Sequence, residues 1–177
     1  MTMFYKIILS VKYLHDNSLV HRDIKPENIM ITNTLRPKLA DFGSTNIKKE
    51  MSKTFCGTYE YMAPEIYRRG QQNEKVDIWA LGVLLYEITQ CKTPFKGLTL
   101  NEIEQMVLGR KLRFKHGTNP LIKQFIYDVL KLDPKERPTC DQLLKNCIFD
   151  ILKSSKRSAK KQDDSKSQRN IKKNLDV

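Results

Sequence analysis

At 177 residues, 40% hydrophobic and 29% charged, the chain is long enough for one globular domain with its own core. Its formal net charge of +12 is unevenly placed: residues 153–177 carry nine Lys/Arg against three Asp, a net of +6, and the other 152 residues share the remaining +6. No apolar run approaches the roughly 18 residues of a membrane span, and Met1 is not followed by the segments of a signal peptide, so neither a spanning nor a secreted protein is expected.

Cys56, Cys91, Cys140 and Cys147 form no CxxC pair and no His/Cys cluster with zinc spacing. Reduced thiols in an intracellular protein, cytoplasmic or nuclear, are the simplest account. A basic balance can signal nucleic-acid binding, but here the excess sits in a tail with no nucleic-acid motif beside it.

Phe4, Ile7, Ile8, Val11 and Leu14 recur at helical spacing with Lys6 and Lys12 between them, which predicts an amphipathic helix. Next comes His21-Arg22-Asp23-Ile24-Lys25-Pro26-Glu27-Asn28. Pro26 fixes its own φ and pushes Lys25 towards extended geometry, so this is read as a loop, flanked by short strands at Leu19-Val20 and Ile29–Ile31. It puts a carboxylate, an ammonium and a carboxamide within six residues. Asp23 can accept a hydroxyl proton, Lys25 can neutralise phosphate charge, and Asn28 can offer an oxygen to Mg²⁺.

Pro37-Lys38-Leu39-Ala40 reads as a strand leading into Asp41-Phe42-Gly43. A hairpin of these strands would bring Asn28 near Asp41, and Gly43 would let the backbone turn directly afterwards. Residues 44–62 are polar and aperiodic, a long loop of the kind that is usually functional. Pro64 suits the first turn of a short helix running to about Arg69. Val76 to Ile88 is apolar on all sides and reads as a buried central helix, interrupted by Asp77, which must find partners. Helices are expected over 99–109, around Leu121–Leu130, and from an N-cap at Thr139 to about Asn146. From Lys153 onward apolar residues nearly vanish, the composition of a disordered basic tail.

The octapeptide at 21–28, Asp41-Phe42-Gly43 and Ala63-Pro64-Glu65 stand in the order and at the spacing of three signatures of the protein kinases, and residues 1–152 resemble the C-terminal lobe of that fold. The implied fold is mainly α with a few short β-strands, a kinase-like C-lobe whose N-lobe elements are absent from this sequence. The implied activity is transfer of the ATP γ-phosphoryl group to Ser or Thr of a protein, with Lys25 as the serine/threonine-type residue. Thr54–Thr58 with Glu60-Tyr61 resembles the activation segment of AGC and Aurora-type kinases, and Thr54–Glu65 and Asn73–Glu87 are most similar to the Aurora type, from whose commoner residues Ser44 and Ala63 depart.

The resemblance implies roles residue by residue. Asp23, Lys25 and Asn28 would be catalytic, Asn28 and Asp41 would hold Mg²⁺, and Lys25, Glu27, Asn28, Met30 and Asp41 would face ATP, Met30 beneath the adenine. Thr54 would be the activating phosphosite, modified by an upstream kinase or by the protein itself, with Arg22 as its partner. Asn46 stands where a second cation is common, with Lys48 or Lys49 as substitutes. Thr58 would bond Asp23 and Lys25. His21, Phe42 and Asp77 would form the lower regulatory spine, Asp77 holding the loop backbone. Glu65 would pair with Arg137. Glu27 and Glu87 would read Arg on a basic protein substrate. No Gly-rich phosphate loop, strand Lys or partner Glu is present, so the chain alone is expected to be inactive or nearly so and to expose an apolar patch. Two other functions stay open: a catalytically inactive module that binds partners, and a tail-driven binder of nucleic acid or acidic surfaces.

Overall fold

The apolar run around Trp79 forms the axis on which the other elements pack. A computed structural model describes residues 1–42, 58–68, 70 and 72–149. Its helices are α1 (Thr2–Asp16), α2 (Pro64–Tyr67), α3 (Lys75–Gln90), α4 (Leu100–Gly109), α5 (Pro120–Val129) and α6 (Cys140–Leu144), and its strands are β1 (Ile29–Ile31) and β2 (Pro37–Leu39). The result is mostly helical with one two-stranded antiparallel sheet. Among the described residues no helix is long and apolar enough to cross a membrane.

Helix α3 buries residues on every face, from Val76 through Tyr86, although Ile88 near its end is 54% exposed. Trp79 stacks on Phe95 at 5.6 Å between centroids. Gly82 lets α5 approach: a Cβ there would stand 2.7 Å from a Val129 methyl and 2.8 Å from a Leu130 methyl. Helix α1 buries Phe4, Ile7, Ile8, Val11 and Leu14 on one stripe and packs against α6, β2 and α3. Each such side chain contributes about 1.5–3 kcal/mol on burial. Phe4 meets Phe125 edge-on, and Phe125 meets Phe149, so aromatic contacts tie α1 to the C-terminal helices.

Helices α4 and α6 start in capping boxes. Thr99 with Glu102, and Thr139 with Gln142, exchange side-chain and backbone hydrogen bonds and satisfy amides that helical geometry leaves open.

The structure departs from the sequence expectation in four places. Leu19-Val20 is not a strand. Ser18 turns left-handed at φ 59° and the Leu19 amide bonds back to Leu14 O, so these residues close α1 and meet no strand partner. Pro26–Asn28 winds into one 3-10 turn with Pro26 at its start, preceded by an extended Lys25. Helix α2 stops at Tyr67, where Arg68 and Gly70 bond back to Pro64 O and Glu65 O. Helix α6 stops at Leu144, because the Asn146 side chain takes over the Ile148 amide.

β1 and β2 pair Ile29 with Leu39, Met30 with Lys38 and Ile31 with Pro37. The Ala40 amide adds a bond to Asn28 O at 2.9 Å, which carries the pairing to the edge of the 21–28 loop. On the hairpin and just after it, apolar side chains are exposed among polar ones: Met30 is 60%, Leu35 69% and Phe42 49% exposed.

Candidate active site

Asp77 organises the loop from below. Its carboxylate is fully buried on α3, and Oδ1 accepts from the Arg22 amide at 2.7 Å while Oδ2 accepts from the His21 amide at 2.9 Å. His15, in the last turn of α1, donates from Nε2 to the same Oδ2 at 2.9 Å. Cys140 Sγ lies 3.6 Å from His15 Nδ1, and burial pushes its thiol up to about 12, so it stays protonated. Three donors therefore satisfy a charge that would otherwise be costly to bury.

His21 is also fully buried. Its Nε2 donates to Ala40 O at 3.1 Å and its Nδ1 accepts from the Asp23 amide at 3.3 Å, so these partners select the neutral Nε2–H tautomer. The His21 and Phe42 rings stand 5.2 Å apart. His21 thus links the loop to the end of the hairpin.

Above this base, Asp23 Oδ2 receives the Lys25 ammonium at 3.0 Å and the Asn28 carboxamide at 2.9 Å. Asn28 Nδ2 also donates to Asp23 O at 2.8 Å. Both donor positions of Asn28 are thereby spent on Asp23, and no described residue donates to Asp23 Oδ1 or Asn28 Oδ1. The side chains of Asp23 and Lys25 are 13% and 17% exposed, shielded yet reachable. Asp41 follows one residue after the Ala40–Asn28 bond, which puts it at the same end of the hairpin.

Arg22 and Asp41 adopt φ 66° and 61°, left-handed conformations that L-residues rarely take. Such strain costs on the order of 1–3 kcal/mol each and persists only where surrounding bonds impose it. The Asp77 and Ala40 bonds do so here.

A second cluster lies where α3 meets the 3-10 turn Thr58–Tyr61. Tyr61 donates to Glu87 and Thr93 donates to Glu60. Burial first, then the Glu87 bond and the charges of Glu87, Glu27 and Glu60, hold the Tyr61 phenol protonated well above its ordinary range. Glu27 and Glu87, far apart in sequence, thus act on one side chain.

Glu65 and Arg137 form a two-pronged pair, with Nη1 on Oε1 and Nη2 on Oε2, both at 2.7 Å. Arg137 also donates to Lys131 O and Lys75 O, and its guanidinium lies 5.0 Å from the Trp79 ring centroid. Met30 lies exposed on β1. Gly43, Ser44, Asn46, Lys48, Lys49, Thr54 and Cys56 lie outside the described residues, as do the Thr58 side chain and the tail at 153–177.

Sequence reasoning missed His15, Cys140 and the Tyr61 bond. Sixty-two residues separate His15 from Asp77, and no local pattern announces that meeting. A single His in the final turn of an amphipathic helix was the available signal.

The family model for the protein kinase domain matches residues 1–149. A cAMP-dependent protein kinase, catalytic subunit-like protein of Caenorhabditis elegans is 37% identical over 153 residues, covering 85% of this chain and 38% of the relative. An Aurora kinase of Eremothecium gossypii is 39% identical over 135 residues, covering 75% of this chain and 37% of the relative. The serine/threonine-protein kinase polo of Drosophila melanogaster is 36% identical over 155 residues, covering 86% and 26%. The chain thus spans well under half the length of these relatives, and their similar identities single out no subfamily. With the family match running from Met1 to Phe149, through the Asp23–Lys25–Asn28 cluster and the α3 anchor beneath it, the chain belongs to the eukaryotic protein kinase superfamily.

Proposed function

We propose that residues 1–152 are the C-terminal lobe of a serine/threonine protein kinase domain, followed by a basic tail, and that Asp23 receives the proton of the substrate hydroxyl. The observation that carries this reading is the asymmetry of the Asp23 carboxylate. Oδ2 is held by Lys25 and Asn28, and Oδ1 is left without a described donor. Two donors fix the orientation, and the second oxygen is the one that can accept.

A Ser or Thr hydroxyl of a protein substrate would donate to Asp23 Oδ1 as its oxygen attacks the γ-phosphorus of ATP. Lys25 would place positive charge beside the transferring group. Asn28 Oδ1 and the Asp41 carboxylate suit Mg²⁺, a hard cation that takes few protein oxygens and completes its shell with phosphate and water. Among the described residues no cluster of three His, Cys, Asp or Glu competes for a metal. Bound Mg²⁺ would neutralise phosphate charge during transfer.

His21, Phe42 and Asp77 would hold the loop in register with the hairpin, and Met30 would lie against the adenine. Glu27 and Glu87 would favour a basic peptide, with Tyr61 fixing Glu87. Phosphorylation of Thr54, by an upstream kinase or by the protein itself, would give Arg22 a two-pronged anionic partner, and Thr58 would tie that segment to Asp23 and Lys25.

The test is phosphoryl transfer from ATP to a Ser/Thr peptide mixture by the full-length product of the gene. Asp23→Asn is expected to lower kcat by about 10²–10⁴-fold. Unchanged turnover in that variant would overturn the assignment. The 177-residue chain by itself is expected to transfer phosphate slowly or not at all.

A further inference from the structure

Between Glu104 and Asp128 the chain holds no acidic residue, but it holds Arg110, Lys111, Arg113, Lys115 and Lys123. Most of these cations fall in the segment that joins α4 to α5. Exposure alternates along it: Lys111, Arg113 and Lys115 are exposed, and Leu112 and Phe114 are half-buried. The Leu112 amide donates to Arg110 O at 3.1 Å, a tight turn about Lys111, and along the segment the exposed cations alternate with apolar side chains turned inward.

The strip is anchored from behind. Arg110 ends α4 in a left-handed conformation, donates to Leu130 O at 3.1 Å and lies over the Tyr127 ring. Tyr86 donates to Arg113 O, and the Lys115 amide donates to Gln90 Oε1 at 2.7 Å. The Phe114 ring packs between Tyr86 and Tyr127, with the Lys123 ammonium 5.8 Å from its centroid. Structural bonds are therefore made by the backbone of Arg113 and Lys115 and not by their charged ends. No described residue forms an ion pair with Lys111, Arg113 or Lys115, whereas Lys12, Lys25 and Arg137 each have a carboxylate partner.

We propose that Lys111, Arg113 and Lys115 form a docking strip for an extended acidic protein segment with Glu or Asp at alternate positions. An extended peptide also presents every second side chain on one side, so alternating carboxylates would face the alternating cations of the strip. A nucleic acid fits less well. The strip is short, and its one aromatic ring is half-buried with its face already occupied by Lys123, so no platform is left for a base to stack on. The strip lies outside the Asp23 cluster, and its occupancy does not depend on phosphoryl transfer.

The test is fluorescence anisotropy of a labelled peptide of four Ser-Glu repeats, titrated with the 177-residue chain at low salt. A peptide with the same residues but contiguous glutamates serves as the comparison. The triple variant K111E/R113E/K115E is expected to bind the alternating peptide at least about tenfold more weakly, as for loss of several rim ion pairs. The variant K38E/K96E/K145E carries the same net charge change elsewhere and is expected to stay within about twofold of the parent. Circular dichroism establishes that both variants are folded. The alternating peptide is expected to bind more tightly than the contiguous one. Equal loss in the two triple variants would reduce the effect to bulk charge and overturn the proposal. So would tighter strip-dependent binding of an oligouridylate, or of vesicles containing phosphatidylserine.

Discussion

The buried anchors around α3 and the cluster around Asp23 are both built from charged side chains, yet they are finished differently. Asp77 has donors on both oxygens, and Glu65 and Arg137 match each other prong for prong. Asp23 has two donors on one oxygen and no described donor on the other. Saturated charges hold the chain in place, and the open oxygen of Asp23 is the one the proposed chemistry would use. Stability and activity should therefore separate cleanly when the two regions are altered.

The largest expected effect on stability comes from breaking the Glu65–Arg137 pair. Arg137→Leu leaves Glu65 without its cation and removes the contact over Trp79, and it should cost about 3–5 kcal/mol in urea unfolding. Asp77→Asn should come next. An amide in its place can accept some of the bonds but turns an NH₂ towards a backbone donor, so a loss of about 1–3 kcal/mol is expected. Amide exchange at His21 and Arg22 should speed up in the same variant. Gly82→Ala forces a methyl against Val129 and Leu130 and should cost about 1–3 kcal/mol. Gly109→Ala has nothing within 4 Å of the new Cβ and should be neutral or gain up to about 1 kcal/mol. Asp23→Asn should change unfolding by no more than about 1 kcal/mol while removing activity in the full-length protein. A large loss of stability there would collapse the distinction between the two regions.

A pH series sharpens the same contrast from the side of Cys140. Burial lifts its thiol from 9.0 to about 12, so the folded protein holds this proton more tightly than the unfolded one does. The resulting stability is complete below pH 9.0 and is lost as pH rises towards about 12. The urea midpoint of the parent should fall more steeply across that window than that of Cys140→Ala. Exposed Cys91 and Cys147 should react with a thiol reagent well before Cys140 does.

Much of the helical body was legible because its signal is periodic. The stripe on α1 and the apolar run of α3 each state what must be buried, and a lone Asp inside such a run states that donors must come to it. The octapeptide and the two later tripeptides carried the family. Several other features were not legible. Leu19-Val20 has strand-like composition, but strands need a partner, and the turn at Ser18 denies it one. The left-handed backbone at Arg22 and Asp41 is imposed by bonds from Asp77 and Ala40, distant in sequence or made only after the hairpin closes. His15 meets Asp77 and Cys140 only because α1 packs beside both α3 and α6.

The hairpin of β1 and β2 also sets where the chain can change length. Its register runs from Ile31–Pro37 back to Ile29–Leu39 and on to the Ala40–Asn28 bond. An added residue in the tip between Thr32 and Arg36 lies beyond the last pair and leaves that count untouched. An added residue between Leu39 and Asp41 displaces Asp41 from the end of the hairpin that the Ala40–Asn28 bond fixes. Natural length variation should therefore collect at the tip and be absent from the five residues that follow it.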